Sequence, residues 1–327
     1  MRRRLTSWFG IAWVGFSASL AAQTTTPEPV PHPCDSQTGT TKAVCRAGYD
    51  AVSAIVPIGA LAVSRGNPGL GTAAAGQRFG DLVITLRGNY LGARLPATSY
   101  DGASDTVALA RRLAVVVPSA DLRLTLLRRA LPMGAASVDF LGSISGIPRH
   151  ATDFVRFGDD VRSIGGVVLG FGYGLRIGVE PNGPLPVVSL NVGRSDLPRF
   201  TIGDLTAGSN FAYSLSVSAI NVRLMAGRRF GGFEFTGGGG VDLIKGDYSL
   251  AYRDQVTNTP KPRADSTVSA MRILTVVNAA FHLGSVARLT FEGGFQVGKN
   301  DKLPTIFEGT NTKSGRFFGG VGLGFKL

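Results

Sequence analysis

Beyond residue 78, hydrophobic and polar residues alternate with a period of two through segment after segment. In 165–180 the bulky residues Val167, Leu169, Phe171, Tyr173, Leu175, Ile177 and Val179 share one face. Gly170, Gly172, Gly174, Arg176, Gly178 and Glu180 occupy the other. Successive strand side chains point to opposite faces, so this is a strand with one thick face and one thin one. Leu82, Ile84, Leu86 and Tyr90 alternate with Asp81, Thr85, Arg87 and Asn89. Phe233, Phe235, Val241 and Leu243 alternate with Glu234, Thr236 and Asp242, and Leu289, Phe291, Phe295 and Val297 with Arg288, Thr290, Glu292 and Gln296. Stretches around Asp121 and Arg123, around Asp139 and around Arg272 follow the same rule. In 209–227, Tyr213, Leu215 and Val217 lie opposite Ser214, Ser216 and Ser218, and the phase then changes near Ala219–Ile220, ahead of Arg223. A phase change inside a strand predicts a bulge.

Ten candidate strands emerge, near 79–94, 111–127, 135–147, 164–180, 185–194, 210–227, 229–252, 268–284, 285–299 and 315–327. Long connections near 95–110, 148–163, 195–209, 253–267 and 300–314 alternate with short ones near 128–134, 181–184, 228 and 284–285. The alternating stretches are too long for a sandwich, whose strands run about five or six residues, but suit a tilted crossing of roughly 30 Å. In lipid every backbone polar group needs a partner within the protein, so a spanning sheet must close. The predicted fold is therefore all-β: a transmembrane antiparallel up-and-down β-barrel of about ten strands, within a range of about ten to fourteen, over residues 79–327. An N-terminal plug or periplasmic segment precedes it.

On this reading the bulky face meets lipid, with Leu169, Phe171, Tyr173, Leu175, Phe291, Phe295 and Phe325 as its markers. The charged residues Asp81, Arg87, Asp121, Arg123, Asp139, Arg176, Glu180, Arg223, Glu234, Asp242, Arg272, Arg288 and Glu292 face the lumen. Glycines at 170, 172, 174, 178 and 237–240 remove bulk from that lumen, leaving room for a plug or solute, or permitting a tightly curved wall.

Residues 1–22 open with three arginines, continue with an apolar run and end in small residues, which predicts a signal peptide. No later run of about 18 consecutive apolar residues predicts a spanning helix. Residues 23–78 form a separate segment, in which 41–56 has helix-compatible spacing that ends before Pro57 and reads as a luminal or periplasmic plug helix or as an extra strand. Cys34 and Cys45 are the two cysteines of the chain. After export they are expected to form a disulfide, since two cysteines without neighbouring histidines make no metal site.

The composition supports an exported β protein: 45 Gly, 17 Pro and 17% charged residues. The net charge of +12 drops to about +9 without the leader arginines. The basic residues are scattered rather than striped, which excludes a nucleic-acid partner.

These features resemble the bacterial outer-membrane β-barrel proteins. The last strand, FFGGVGLGFKL, is similar to their C-terminal assembly signal, with Phe325 two residues before the terminal Leu327. The resemblance implies an outer-membrane location, with membrane lipid and the barrel-assembly machinery as partners. SRGNPGLGTAAAG (64–76) is similar to the Asn-Pro stretch of the long-chain fatty-acid transporter family, in which the N-terminal segment plugs a barrel of more strands.

Little in the chain suggests chemistry. His150 lies near Asp153, Asp159 and Asp160 in a loop, an arrangement similar to the rim of the omptin proteases. His32 lies in the Pro-rich leader and His282 on the lumen phase. There is no G-x-S-x-G elbow and no H-E-x-x-H or C-x-x-C motif, and the glycine run lacks the lysine of a phosphate loop. No catalytic, cofactor or metal residue is assigned. The expected function is a channel or transporter for small or apolar solutes; a structural or surface-interaction barrel without a pore is the alternative, and a rim hydrolase the remote one.

Overall fold

The computed structural model describes residues 34–327 apart from 75, 77, 105–106, 108, 149–154, 159–162, 165–166, 262 and 300–314. After a long helix α1 (Gly39–Ser64) come the strands β1 (Leu82–Pro96), β2 (Leu109–Leu131), β3 (Gly134–Pro148), β4 (Val155–Phe157), β5 (Ser163–Ile164) and β6 (Val167–Pro181). They continue with β7 (Val187–Ile202), β8 (Phe211–Phe230), β9 (Phe233–Tyr252), β10 (Ala264–Leu283), β11 (Ala287–Lys299) and β12 (Arg316–Lys326). The ten long strands form one antiparallel ring, sealed where β1 pairs with β12. The two short strands flank it, β4 on β7 and β5 on β6. Tight turns close one mouth; Gly231 and Gly284 take positive φ there, 59° and 73°, a conformation that a Cβ would strain. The described parts of the long loops, among them 203–210 and 253–261, lie at the other mouth.

The expected bulge at Ala219–Ile220 is absent: the register of β8 runs unbroken through both residues against β7 and β9. What changes there is the solvent. Arg194, Ile220, Leu243 and Met271 form one continuous row across β7, β8, β9 and β10. On the tight-turn side of the row the outer face is apolar, with Val192, Leu224, Phe235 and Val277 exposed. On the long-loop side the outer face carries Ser218, Lys245, Asp247 and Ser269, and the apolar residues turn inward. Phe211, Tyr213, Leu215, Val217, Ile244 and Leu250 are all buried. The bulky face of this half of β8 therefore meets the lumen, not lipid, which corrects the sequence reading.

The reason is α1, which fills that half of the lumen. Val44, Val52, Ile55, Val56, Ile58, Leu61 and Val63 are buried against the inward apolar wall, each contributing about 1.5–3 kcal/mol. A helix apolar on every side must be surrounded, and here the barrel surrounds it. It is long and apolar enough to cross a membrane by length and composition, which the search for one unbroken apolar run missed. It also runs through Pro57 instead of ending before it. The proline removes a donor from the helix, and Arg316 of β12 donates to the nearby carbonyl of Ala54 at 3.0 Å. Glycines admit the helix: a Cβ on Gly246 would lie 2.6 Å from Val56, and one on Gly170 would lie 3.1 Å from Val63. Gly174 serves the wall, where a Cβ would meet the Val192 carbonyl at 2.6 Å.

The helix begins at the long-loop mouth. Cys34 and Cys45 are joined there in a disulfide. Asp35 pairs with Lys42 at 3.0 Å and Arg46 at 2.9 Å, and Thr41 donates to Asp254 of the 253–263 loop at 3.3 Å.

Candidate functional site: the stoppered lumen

Helix α1 stops at Arg65, whose φ of 62° is uncommon outside glycine. From there residues 66–74 and Gly76 descend toward the tight-turn mouth inside the ring, and the wall grips them by their backbone. Arg223 donates through Nε to the Gly66 carbonyl at 3.0 Å and Arg87 to the Asn67 carbonyl at 3.1 Å. The Asn67 N–H donates to Glu292 at 2.8 Å and the Thr72 hydroxyl to Glu234 at 2.5 Å. Arg176 and Arg123 both donate to the Ala74 carbonyl, at 2.5 and 3.2 Å, and Arg128 to that of Gly76 at 2.8 Å. The segment shapes itself with Asn67, whose side chain accepts from the Gly69 N–H at 3.0 Å, an Asx turn.

Ion pairs tie this stopper to the wall. Arg65 pairs with Asp121 and donates to Ser145 at 2.5 Å. Arg87 lies 3.3 Å from Asp121, and Arg223 lies 2.5 Å from Asp242. Gln296 donates to the other oxygen of Asp242 at 2.8 Å. Buried charges persist only when paired and hydrogen-bonded, and here the stopper supplies many of the partners. The lumen cavities beside it are small: about 30 Å³ next to Arg65 and Asp121, and about 10 Å³ near Leu61 and Glu292. Each is on the scale of one or two waters.

At the tight-turn mouth the lumen widens into a vestibule of about 850 Å³. Arg78, Arg123, Arg228, Arg229, Arg288 and Lys326 line it, with Asp81, Glu180, Glu234 and His282.

Of the charges assigned to the lumen, Arg87, Asp139, Arg176, Arg223, Glu234, Asp242, Arg272 and Glu292 are buried inside the ring. Arg123, Glu180 and Arg288 line the vestibule. Phe171, Tyr173, Leu175, Phe291 and Phe325 are exposed on the outer wall; Leu169 is half-buried, as is Phe295, whose ring lies tilted against that of Phe317 with centroids 4.6 Å apart. His282 lines the vestibule, and its Nε2 lies 3.4 Å from Glu234. His150, Asp153, Asp159 and Asp160 lie outside the described residues, as do the leader and His32. Sequence reasoning missed Arg65 and Arg316. The one available signal was positional: Arg65 stands alone between an apolar segment and an Asn-Pro turn.

No family model matches the chain, and no curated protein matches it. Solved structures resemble it. The outer membrane protease OmpT from Escherichia coli is 13% identical, covers 76% of this chain and 95% of its own, and has a TM-score of 0.38. The translocator domain of autotransporter NalP from Neisseria meningitidis is 12% identical, covers 77% and 90%, and has a TM-score of 0.37. Neisserial surface protein A is 8% identical, covers 75% and 97%, and has a TM-score of 0.29. At such identities the likeness concerns the fold alone. Membership of the fatty-acid transporter family finds no support. The closed ring with its apolar outer belt is a β-barrel of the bacterial outer membrane.

Proposed function

We propose that the protein works as a closed outer-membrane barrel that presents its long-loop mouth at the cell surface, and not as an open porin. The observation that carries this is the grip of the wall on residues 65–74 and Gly76: carbonyls and N–H groups of the stopper bond directly to buried arginines and carboxylates of the wall. The assembled protein is held shut by the same bonds that make its lumen affordable to bury. A channel for small or apolar solutes requires the stopper to leave, and leaving would break all of these bonds together. Membrane lipid around the apolar belt, and assembly through β12, are the partners this reading requires.

Planar-bilayer recording tests it. The full-length protein should remain silent, and deletion of residues 23–78 should give steady conductance with weak anion preference. The uncovered wall would carry Arg87, Arg123, Arg176, Arg223, Arg272, Arg288 and Arg316 against Asp121, Asp139, Glu234, Asp242 and Glu292. If the deletion does not fold, the double variant Arg65→Ala with Asp121→Ala should flicker open. Sustained conductance by the unaltered protein would overturn the reading.

A further inference from the structure

We propose that the vestibule at the tight-turn mouth is a binding site for a phosphate-type oxyanion, entered from the periplasmic side. Six cationic side chains line the cavity against three carboxylate side chains, and all three of those side chains are engaged. Asp81 pairs with Lys326 at 3.4 Å, Glu180 with Arg128 at 3.4 Å, and Glu234 with His282 and the Thr72 hydroxyl. Among the described residues, no carboxylate pairs with Arg123, Arg288, Arg228 or Arg229.

Arg123 and Arg288 form the inner end of the site. Each has its buried Nε without a hydrogen-bond partner; the charge of Arg123 acts against that of Arg288, while Glu234 favours both. Buried donors are normally satisfied, and an unsatisfied one costs about 1–3 kcal/mol. Arg288 is seated by the wall, because a Cβ on Gly324 would lie 2.9 Å from its Nε. Arg123 is seated by its bond to the Ala74 carbonyl. The rim arginines are oriented too: Arg228 donates to the Pro184 carbonyl and lies over the Phe230 ring, and Arg229 donates to the Gly231 carbonyl at 2.9 Å. Guanidinium forks match the oxygens of a phosphate group. An oxyanion held between the guanidinium groups of Arg123 and Arg288 would relieve the repulsion between them. The site stands independently of whether the lumen conducts.

Calorimetric titration of the refolded full-length protein in detergent with inorganic phosphate, glycerol phosphate and acetate, at constant ionic strength, tests this. Saturable phosphate binding is expected, weakened roughly tenfold or more in Arg288→Gln and unchanged in Arg194→Gln, which removes the same charge from the outer wall. Arg288→Lys should fall between them, and serves as the second variant if the glutamine variant misfolds. Binding of glycerol phosphate equal to that of inorganic phosphate points to phosphate esters as the ligand; binding of inorganic phosphate alone points to the free ion. No saturable phosphate binding, equal loss in Arg288→Gln and Arg194→Gln, or acetate binding as tightly as phosphate would each overturn the proposal.

Discussion

Arg223 on β8 and Asp242 on β9 lie 2.5 Å apart with both side chains fully buried, and Arg223 also donates to the stopper at Gly66. The pair joins wall to wall and wall to plug through one guanidinium. Removing one member of a buried pair leaves an uncompensated charge. Asp242→Asn should therefore cost about 3–5 kcal/mol, whereas Arg223→Met with Asp242→Leu should recover most of that. Urea unfolding followed by circular dichroism checks both; equal loss in the single and double variants would contradict the assignment.

The reversal of the wall along Arg194, Ile220, Leu243 and Met271 makes a second prediction, since lysine should be tolerated or rejected by level and face. Ser218→Lys, outward beyond the row, should change stability by no more than about 0.5 kcal/mol. Leu224→Lys, outward within the apolar belt, should cost about 2–4 kcal/mol if it lies near the lipid midplane. Val217→Lys, inward against α1, should be at least as costly as the belt substitution. Unfolding in lipid vesicles reads all three.

The Cys34–Cys45 bond closes a short loop over the first turns of α1. Cys34→Ser with Cys45→Ser should cost about 2–4 kcal/mol locally. The effect should be confined to the long-loop mouth, appearing as faster proteolysis or hydrogen exchange around residues 34–48, with the strands unchanged.

At the same mouth, Asp204 is held down at about 2, first by the Thr206 hydroxyl and N–H and then by Arg156, which it meets at 2.7 Å. Its folded value lies below its unfolded value of about 3.9. Its contribution is therefore complete above about pH 4 and is lost as pH falls toward 2. Hydrogen exchange of 203–209 should stay constant from pH 7 to 5 after correction for intrinsic rates, and should rise on acidification below pH 4. Asp204→Asn should abolish that rise.

The strands were legible because lipid and water select on a two-residue period, and that signal survives in a single sequence. The period does not say which face is inside. For Tyr213, Leu215 and Val217 the answer depended on α1, a neighbour more than 140 residues away in the chain, so the phase change looked like a bulge. Helix α1 was foreshortened at Pro57 because a free peptide would break there; the wall that encloses the helix comes from strands distant in sequence. The stopper contacts were illegible for the same reason: nothing local distinguishes Arg65 from any other arginine until the ring brings Asp121 and Ser145 to it.

The row from Arg194 to Met271 acts as a fiducial line drawn round the wall. A one-residue slip of β8 would put Arg223 toward lipid and Leu215 toward water together, so each half of the strand vetoes the error on its own solvent. A two-residue slip would keep every side chain on its face yet shift the mark by roughly 7 Å against its neighbours, setting Ser218 or Val222 level with Arg194 and Leu243. Alternation alone is blind to that second error. A strand whose polarity reverses partway carries its own ruler, and neighbouring strands can be aligned by matching the marks.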